Sequence, residues 1–205
     1  LGKRQHKYLS EWGKNQKKTI MKAVLSQTGF CGGAHLHGSE DNRLHADLDS
    51  NGWPQRGRNQ ALKLIKKANA VHIAGDQHLA TVIHHGVDEY EDGPWAFLVP
   101  AMVNNYYSRW WWPKDGKPGK KSNKVLPWNG RYLDGFENKI TMHAYANPDS
   151  NSNGAGFGVI KFDKPNKEVT FECWPRYQDL SLKKSEQFKG LSLIHISEPT
   201  RPIDI

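Results

Sequence analysis

An aspartate and a histidine two residues apart, Asp76 and His78, are the side chains best placed to do chemistry in this sequence. They follow a short apolar run at residues 70–74 that predicts a buried strand, with Gly75 directly after it. Open α/β sheets bind ligands at the carboxyl ends of their strands, and a glycine there lets the main chain turn tightly. A carboxylate oxygen and an imidazole nitrogen on one such loop are suitable ligands for a metal ion.

Two donors make only half of a catalytic metal site, so further ligands must come from elsewhere in the fold. The alternative is structural, with Asp76 capping a helix beside a surface histidine. The loop at residues 28–53 offers more candidates because it has no periodicity and is rich in glycine, histidine and acidic residues. Its histidines either bind a metal or orient a phosphate, or they are surface polar residues; the candidates are His35, His37 and His45, with Asp41, Asp47 and Asp49.

Several elements must position these residues. Apolar residues at helical spacing predict a helix at residues 58–68, directly before the strand at 70–74. Together they form an α/β unit. The pattern also predicts a short amphipathic helix at 2–12, a buried strand at 19–25, an irregular insertion at 109–138, and a hairpin of residues 156–162 and 168–173 joined by a turn at 163–166.

Two further motifs carry functional alternatives. Arg58, at the start of the predicted helix, either holds a substrate phosphate in a bidentate pair or bridges to a nearby aspartate. The run Arg109-Trp-Trp-Trp-Pro113 either stacks on an organic leaving group or anchors the insertion as a buried aromatic cluster.

The order of these motifs resembles the late part of the PhoD-like phosphatases, a branch of the calcineurin-like metallophosphoesterases. The series consists of Asp49-Ser-Asn-Gly-Trp-Pro54, then Arg58, a helix, a strand and Gly75-Asp-Gln-His78. The similarity extends to Leu1-Gly-Lys-Arg-Gln5, to residues 24–27 and 156–163, and to Thr170-Phe-Glu-Cys-Trp-Pro-Arg176. It covers nearly all of residues 1–190, and the ordered series is far more specific than any one motif.

The resemblance implies an α+β fold, the later half of a two-layer αββα metallophosphoesterase sandwich. It also implies metal-dependent hydrolysis of phosphate mono- or diesters at a centre of iron with calcium, in an exported protein. Asp76 and His78 match the late metal ligands of the family, and Arg58 matches its arginine. The early ligands of the family have no counterpart here, so we expect a chain that starts within a longer protein and is inactive by itself.

Composition sets the remaining limits. A chain of 205 residues is long enough for one domain with a sizeable core, and it has no apolar stretch of the roughly 18 residues that a membrane helix needs. Two cysteines, Cys31 and Cys173, cannot form a disulfide framework, and whether they pair stays open. A net charge of +8, from 29 Lys and Arg against 21 Asp and Glu, favours anionic partners such as phosphate esters.

This charge also supports a rival hypothesis from a different class of protein. A basic, aromatic-rich module binds nucleic acid or an anionic polymer without catalysis, and exposed tryptophans similarly suit carbohydrate. We expect a phosphate-ester substrate rather than nucleic acid, because the ordered motifs favour the hydrolase.

The end of the sequence is treated apart from the domain at residues 1–190. The stretch Leu191-Ser-Leu-Ile-His-Ile-Ser-Glu-Pro-Thr-Arg201 resembles the translation of a sequencing adapter, so we expect residues 191–205 to be non-native. The alternative is a native apolar strand at residues 191–196.

Overall fold

The structure is a computed structural model. It describes residues 1–15, 19, 21–34, 36–37, 48–103, 107–110, 128–146, 154–188, 191 and 194–197, with the main chain alone at 36–37 and 194–197. Its elements in chain order are α1 (Lys3–Lys14), β1 (Lys22–Thr28), β2 (Leu36–His37), α2 (Gln55–Lys67), β3 (Ala70–Gly75), β4 (Thr81–His85), β5 (Trp95–Leu98), β6 (Ser108–Arg109), β7 (Gly130–Leu133), β8 (Lys139–Tyr145), β9 (Gly156–Asp163), β10 (Glu168–Pro175) and β11 (Ile194–Ser197).

The main sheet has six strands in the order β1-β3-β5-β4-β8-β7. Strands β1, β3 and β5 run parallel, while β4 is antiparallel to both β5 and β8, and β7 is antiparallel to β8. A second sheet has the order β11-β10-β9, and a short ribbon joins β2 to β6. The described part of the chain is therefore a mixed α/β structure dominated by strands.

Two hydrophobic clusters hold the layers together. Helix α2 buries Ala61, Leu62 and Ile65 in a cluster that includes Ala70 of β3. The second sheet packs on the main sheet, where Phe171 stacks on Phe97 with ring centroids 4.9 Å apart. Each fully buried Leu, Ile or Phe contributes roughly 1.5–3 kcal/mol, so these contacts stabilise the layering substantially. The expected αββα sandwich stays a prediction.

Most predicted elements are found where the sequence pattern places them. The helices predicted at residues 2–12 and 58–68 correspond to α1 and α2, the central strand at 70–74 is β3, and the hairpin is β9 and β10. The first strand was predicted three residues too early. It was also wrongly expected to be buried: β1 is an edge strand, and Leu25 in its middle is 75% exposed.

The prediction of an irregular insertion at 109–138 was wrong for residues 130–133, which form β7 and pair with β8. Residues 111–127 lie outside the described part. In the tail, residues 194–197 pair with β10, whereas the alternative was a native strand at residues 191–196, and this pairing does not bear on the origin of the sequence. Cys31 and Cys173 are both buried and free. Among the described residues, no helix has the length and apolar character needed to cross a membrane.

Candidate metal centre

The carboxyl ends of three parallel strands lie side by side at one end of the main sheet. Thr28 of β1 lies opposite Gly75 of β3, and Ala74 of β3 lies opposite Leu98 of β5. The loop after β3 therefore begins between two neighbouring strand ends, in the position where parallel sheets bind ligands.

Asp76 occupies a strained turn at this end of the sheet, directly after β3. The N–H of Gln77 donates to the carbonyl oxygen of Gly75 across 2.8 Å, which closes a three-residue turn around Asp76 with φ at +69°. A γ-turn with positive φ is rare and costs free energy for a residue with a Cβ atom. The side chain of Asp76 is exposed, so its carboxylate is available to a ligand.

His78 lies two residues further along the same loop and is half-buried, with φ at +53°. Its carbonyl oxygen accepts a hydrogen bond from the N–H of Ser108 across 3.0 Å. Ser108 is in turn paired with His37 across the β2–β6 ribbon. The main chain thus brings His37 and His78 onto adjacent segments, although they are 41 positions apart in the sequence (78 − 37).

Gln77, between the two predicted ligands, fixes their loop to the loop that follows β1. Its side chain is buried; Nε2 donates to the carbonyl oxygen of Cys31 across 2.6 Å. Its Oε1 accepts from the N–H groups of Gly33 and Ala34 at 3.0 Å and 3.3 Å. The buried side chain of Gln77 thus lies between the exposed side chain of Asp76 and the half-buried side chain of His78.

A buried carboxylate directly after β7 also holds the loop that follows β1. Asp134 accepts hydrogen bonds from the N–H of Gly32 at 2.9 Å and from the N–H of Asn138 at 2.9 Å. The side-chain amide of Asn138 donates to the carbonyl oxygen of Gly52 across 2.8 Å, which ties in the Asp49–Pro54 motif. Sequence analysis missed Gln77 and Asp134, because the partners in residues 31–34 that they hold are 43 to 102 positions away.

Arg58 is buried rather than turned outward. Its Nε donates to the carbonyl oxygen of Phe30 and its Nη1 to that of Gly86, both across 2.8 Å, while Nη1 also bonds to Asn59. Burial lowers the pKa of the guanidinium. These contacts match neither a phosphate pair nor an aspartate bridge, so the substrate-binding role of Arg58 stays a prediction that this arrangement does not favour.

Within the run at residues 109–113, Trp110 is the one tryptophan that the structure describes. It belongs to a buried aromatic cluster, which was the structural alternative for this run. Trp110 is fully buried, donates from Nε1 to the carbonyl oxygen of Trp128 across 3.0 Å, and packs edge-on against Tyr132. Trp111 and Trp112 lie outside the described residues. So do His35, His45, Asp41 and Asp47 of the predicted loop cluster, and the side chain of His37.

Asp76 and His78 are two potential donors, fewer than a catalytic metal centre needs. Asp76 offers a hard carboxylate oxygen and His78 a borderline nitrogen, which together suit a divalent or trivalent ion. Within the described ranges, no group of three or more His, Cys, Asp or Glu side chains is arranged to hold a metal ion. The metal-binding role of Asp76 and His78 therefore stays a prediction.

Comparison with known proteins yields one distant likeness. Among solved structures, that of PhoD matches with a TM-score of 0.39 and 16% identity, over 98% of this chain and 36% of the PhoD chain. The chain thus spans about a third of the length of the PhoD chain. No protein-family model and no curated protein matches the sequence. At this score and identity the likeness amounts to a distant PhoD-like resemblance and says nothing about activity.

Proposed function

We propose that the loop after β3 forms part of a metal centre that hydrolyses phosphate mono- or diesters in a longer parent protein. Asp76 and His78 are the metal ligands of this loop, and His37 is a further donor. The observation that carries the proposal is the position of the Asp76 turn, exposed at the carboxyl end of a central parallel strand. Export of the parent, implied by the sequence resemblance, belongs to the same proposal.

The donor set fits the proposed ion. An exposed carboxylate binds a hard cation without first losing a buried partner, and a neutral imidazole adds a nitrogen ligand. Iron with calcium, the pair implied by the sequence resemblance, matches one borderline and one hard donor. When bound, such ions polarise a phosphoryl oxygen and so stabilise charge that develops during hydrolysis.

The chain contributes position rather than a complete reaction site. Gln77 fixes the Asp76 and His78 loop against residues 31–34, and Ser108 holds the main chain of His78 beside the β2–β6 ribbon. Fixed ligands lose little conformational entropy when they bind an ion, which is why such supporting contacts affect metal affinity.

Metal binding tests the proposal without relying on activity. We expect the chain to bind Mn²⁺, measured by electron paramagnetic resonance, and the variants Asp76→Asn and His78→Gln each to weaken binding by at least about tenfold. The matched controls are Asp163→Asn, on the β9–β10 turn, and His6→Gln, on α1; both should leave the affinity unchanged. Equal binding by all four variants, or no binding by the wild type, would contradict the proposal.

The proposal predicts different hydrolytic activities for the purified chain and for its longer parent protein. The purified chain should not cleave bis(4-nitrophenyl) phosphate in the presence of Mn²⁺, because an ion bound by this chain lacks the early ligands that complete the catalytic centre. A parent protein that supplies the early ligands should cleave it and lose this activity on Asp76→Asn. Metal-dependent turnover by the chain alone would overturn the expectation that it is inactive.

The rival hypothesis, a nucleic-acid or anionic-polymer binding module, makes a different prediction. Binding to single-stranded DNA through Lys and Arg should weaken steeply with salt and ignore Asp76→Asn. Trp110, the one tryptophan of the run at residues 110–112 that the structure describes, is buried and so does not offer its ring to a base.

A further inference from the structure

Three polar side chains lie together in the interior, between α2 and the main sheet. His72 of β3 and His85 of β4 are both fully buried, and their ring centroids are 5.9 Å apart. Arg58 of α2 is 3% exposed and donates to the carbonyl oxygen of Gly86, the residue next to His85. It also donates to the carbonyl oxygen of Phe30, whose ring packs against His72 with centroids 4.7 Å apart. Arg58, His72 and His85 therefore form one buried polar cluster.

Four nitrogen atoms of the buried polar cluster have no hydrogen-bond partner among the residues that the structure describes. They are Nη2 of Arg58, Nδ1 of His72, and both Nδ1 and Nε2 of His85. Buried polar atoms are almost always paired, because an unpaired one loses its hydrogen bonds to solvent on folding and gains none in exchange. Four such atoms in three adjoining side chains therefore indicate a small molecule bound between them.

The hydrogen bonds of Ser26 determine which nitrogen of His72 carries the proton. Ser26 Oγ donates its single proton to the carbonyl oxygen of Thr28 across 2.7 Å, so it accepts from Nε2 of His72, also across 2.7 Å. Burial lowers the pKa of His72 to about 3, so the ring is neutral at pH 7 and has only this one N–H. Nδ1 of His72 is therefore an acceptor.

The unpaired atoms include both donors and acceptors, which decides the class of ligand. Arg58 Nη2 only donates and His72 Nδ1 only accepts, while His85, whose pKa is lowered by burial, is neutral and offers one of each. A metal cation here would be repelled by the guanidinium charge of Arg58, and an anion by the lone pair of His72. Water both donates and accepts, and it occupies buried sites that offer about two to four polar partners.

We propose that the buried polar cluster is a binding site for internal water, which bridges the guanidinium group of Arg58 to the rings of His72 and His85. The water accepts from Arg58 Nη2 and donates to His72 Nδ1, and His85 supplies a further contact. Because all three side chains are buried, this water exchanges with solvent only when the fold opens locally. Neither Asp76 nor His78 takes part, so the site is independent of the proposed metal centre.

Relaxation dispersion of ¹⁷O in the solvent tests the proposal, because it counts long-lived internal water by its oxygen and ignores exchanging hydroxyl protons. We expect His85→Leu to lose about one long-lived water molecule per chain relative to the wild type, since leucine removes both ring nitrogens. The matched control is His84→Leu, on the opposite face of β4, which should leave the count unchanged. An equal count in the wild type and both variants would overturn the proposal.

Measurements on the wild type make the test independent of how well His85→Leu folds. Ring protons of His72 and His85 should show nuclear Overhauser effects to water, while the ring of Phe97, fully buried and stacked on Phe171, should show none. The ¹⁵N shifts of His72 should place its proton on Nε2. Three results would each overturn the proposal: no water signal at either histidine, a proton on Nδ1 of His72, or a coupling across a direct hydrogen bond between Arg58 and His85.

Discussion

Gln77 Nε2 donates a hydrogen bond to the carbonyl oxygen of Cys31 across 2.6 Å and so joins the loop after β3 to the loop after β1. The same amide accepts from Gly33 and Ala34 through Oε1, which leaves both ends of the side chain bonded. The side chain that joins these two loops is therefore the one between the two predicted ligands. The buried amide of Gln77 holds the loop in place, while the proposed chemistry depends on the neighbouring Asp76 and His78.

Replacing Gln77 with Leu should lower the free energy of unfolding by about 1–3 kcal/mol, because one buried acceptor and two donors lose their partner. Hydrogen exchange at the Gly33 and Ala34 amides should speed up, and Mn²⁺ affinity should fall. Gln60→Leu, on the exposed side of α2, should change the free energy of unfolding by less than about 0.5 kcal/mol. Equal stability of the two variants in urea would show that the bridge does not stabilise the fold.

Arg58 and Arg56 offer a second matched pair. Arg58→Met removes the donors to the carbonyl oxygens of Phe30 and Gly86 and should lower the free energy of unfolding by about 1–3 kcal/mol. Arg56 is exposed, and Arg56→Met should have little effect on urea unfolding. A loss of activity in the parent protein with no loss of stability in Arg58→Met would instead support a substrate-binding role.

Stability should fall as the solution is acidified from neutral pH. Burial lowers the pKa of His72 from 6.5 to about 3, and burial followed by Arg58 lowers that of His85 in the same direction. Between these values the unfolded chain binds more protons than the folded chain, so stability is full above pH 6.5 and is lost as pH falls toward 3. His72 should cost about 2 kcal/mol between pH 7 and pH 5, and His85 should add a loss in the same direction.

Urea unfolding at several pH values measures this loss. His72→Asn should reduce the dependence by the share of one histidine, while keeping a polar group near Ser26, whose Oγ lies 2.7 Å from His72 Nε2. An unchanged slope in His72→Asn would mean that His72 does not titrate in this way.

Asp76→Gly should have two effects: it should stabilise the fold, and it should remove the proposed metal ligand. Glycine adopts a φ of +69° without the steric cost that an aspartate bears, and we expect a gain of about 0.5–1 kcal/mol in the free energy of unfolding. Mn²⁺ affinity should fall at least about tenfold, as for Asp76→Asn. The comparison variant Asp76→Ala should lose the ion without the gain in stability, and a destabilised Asp76→Gly would argue against strain at this turn.

The sequence by itself determined those helices and strands that follow from a local pattern of apolar residues. The apolar residues of α2 recur at helical spacing, β3 is a short run buried between two strands, and β9 and β10 are adjacent segments joined by a turn. In each case the residues that decide the structure are close in sequence, so a short window is enough to predict it. The strand end at Gly75, and with it the place of Asp76 and His78, followed from the same local information.

Tertiary structure alone decided which distant residues meet. Three features depend on neighbours that are distant in sequence. They are the position of β1 as an edge strand, the formation of β7 within a region of irregular composition, and the burial of Arg58. Gln77 and Asp134 brace the site through partners up to 102 positions away. The free energy of such contacts depends on burial and direction in space, and the linear sequence specifies these only through the complete fold.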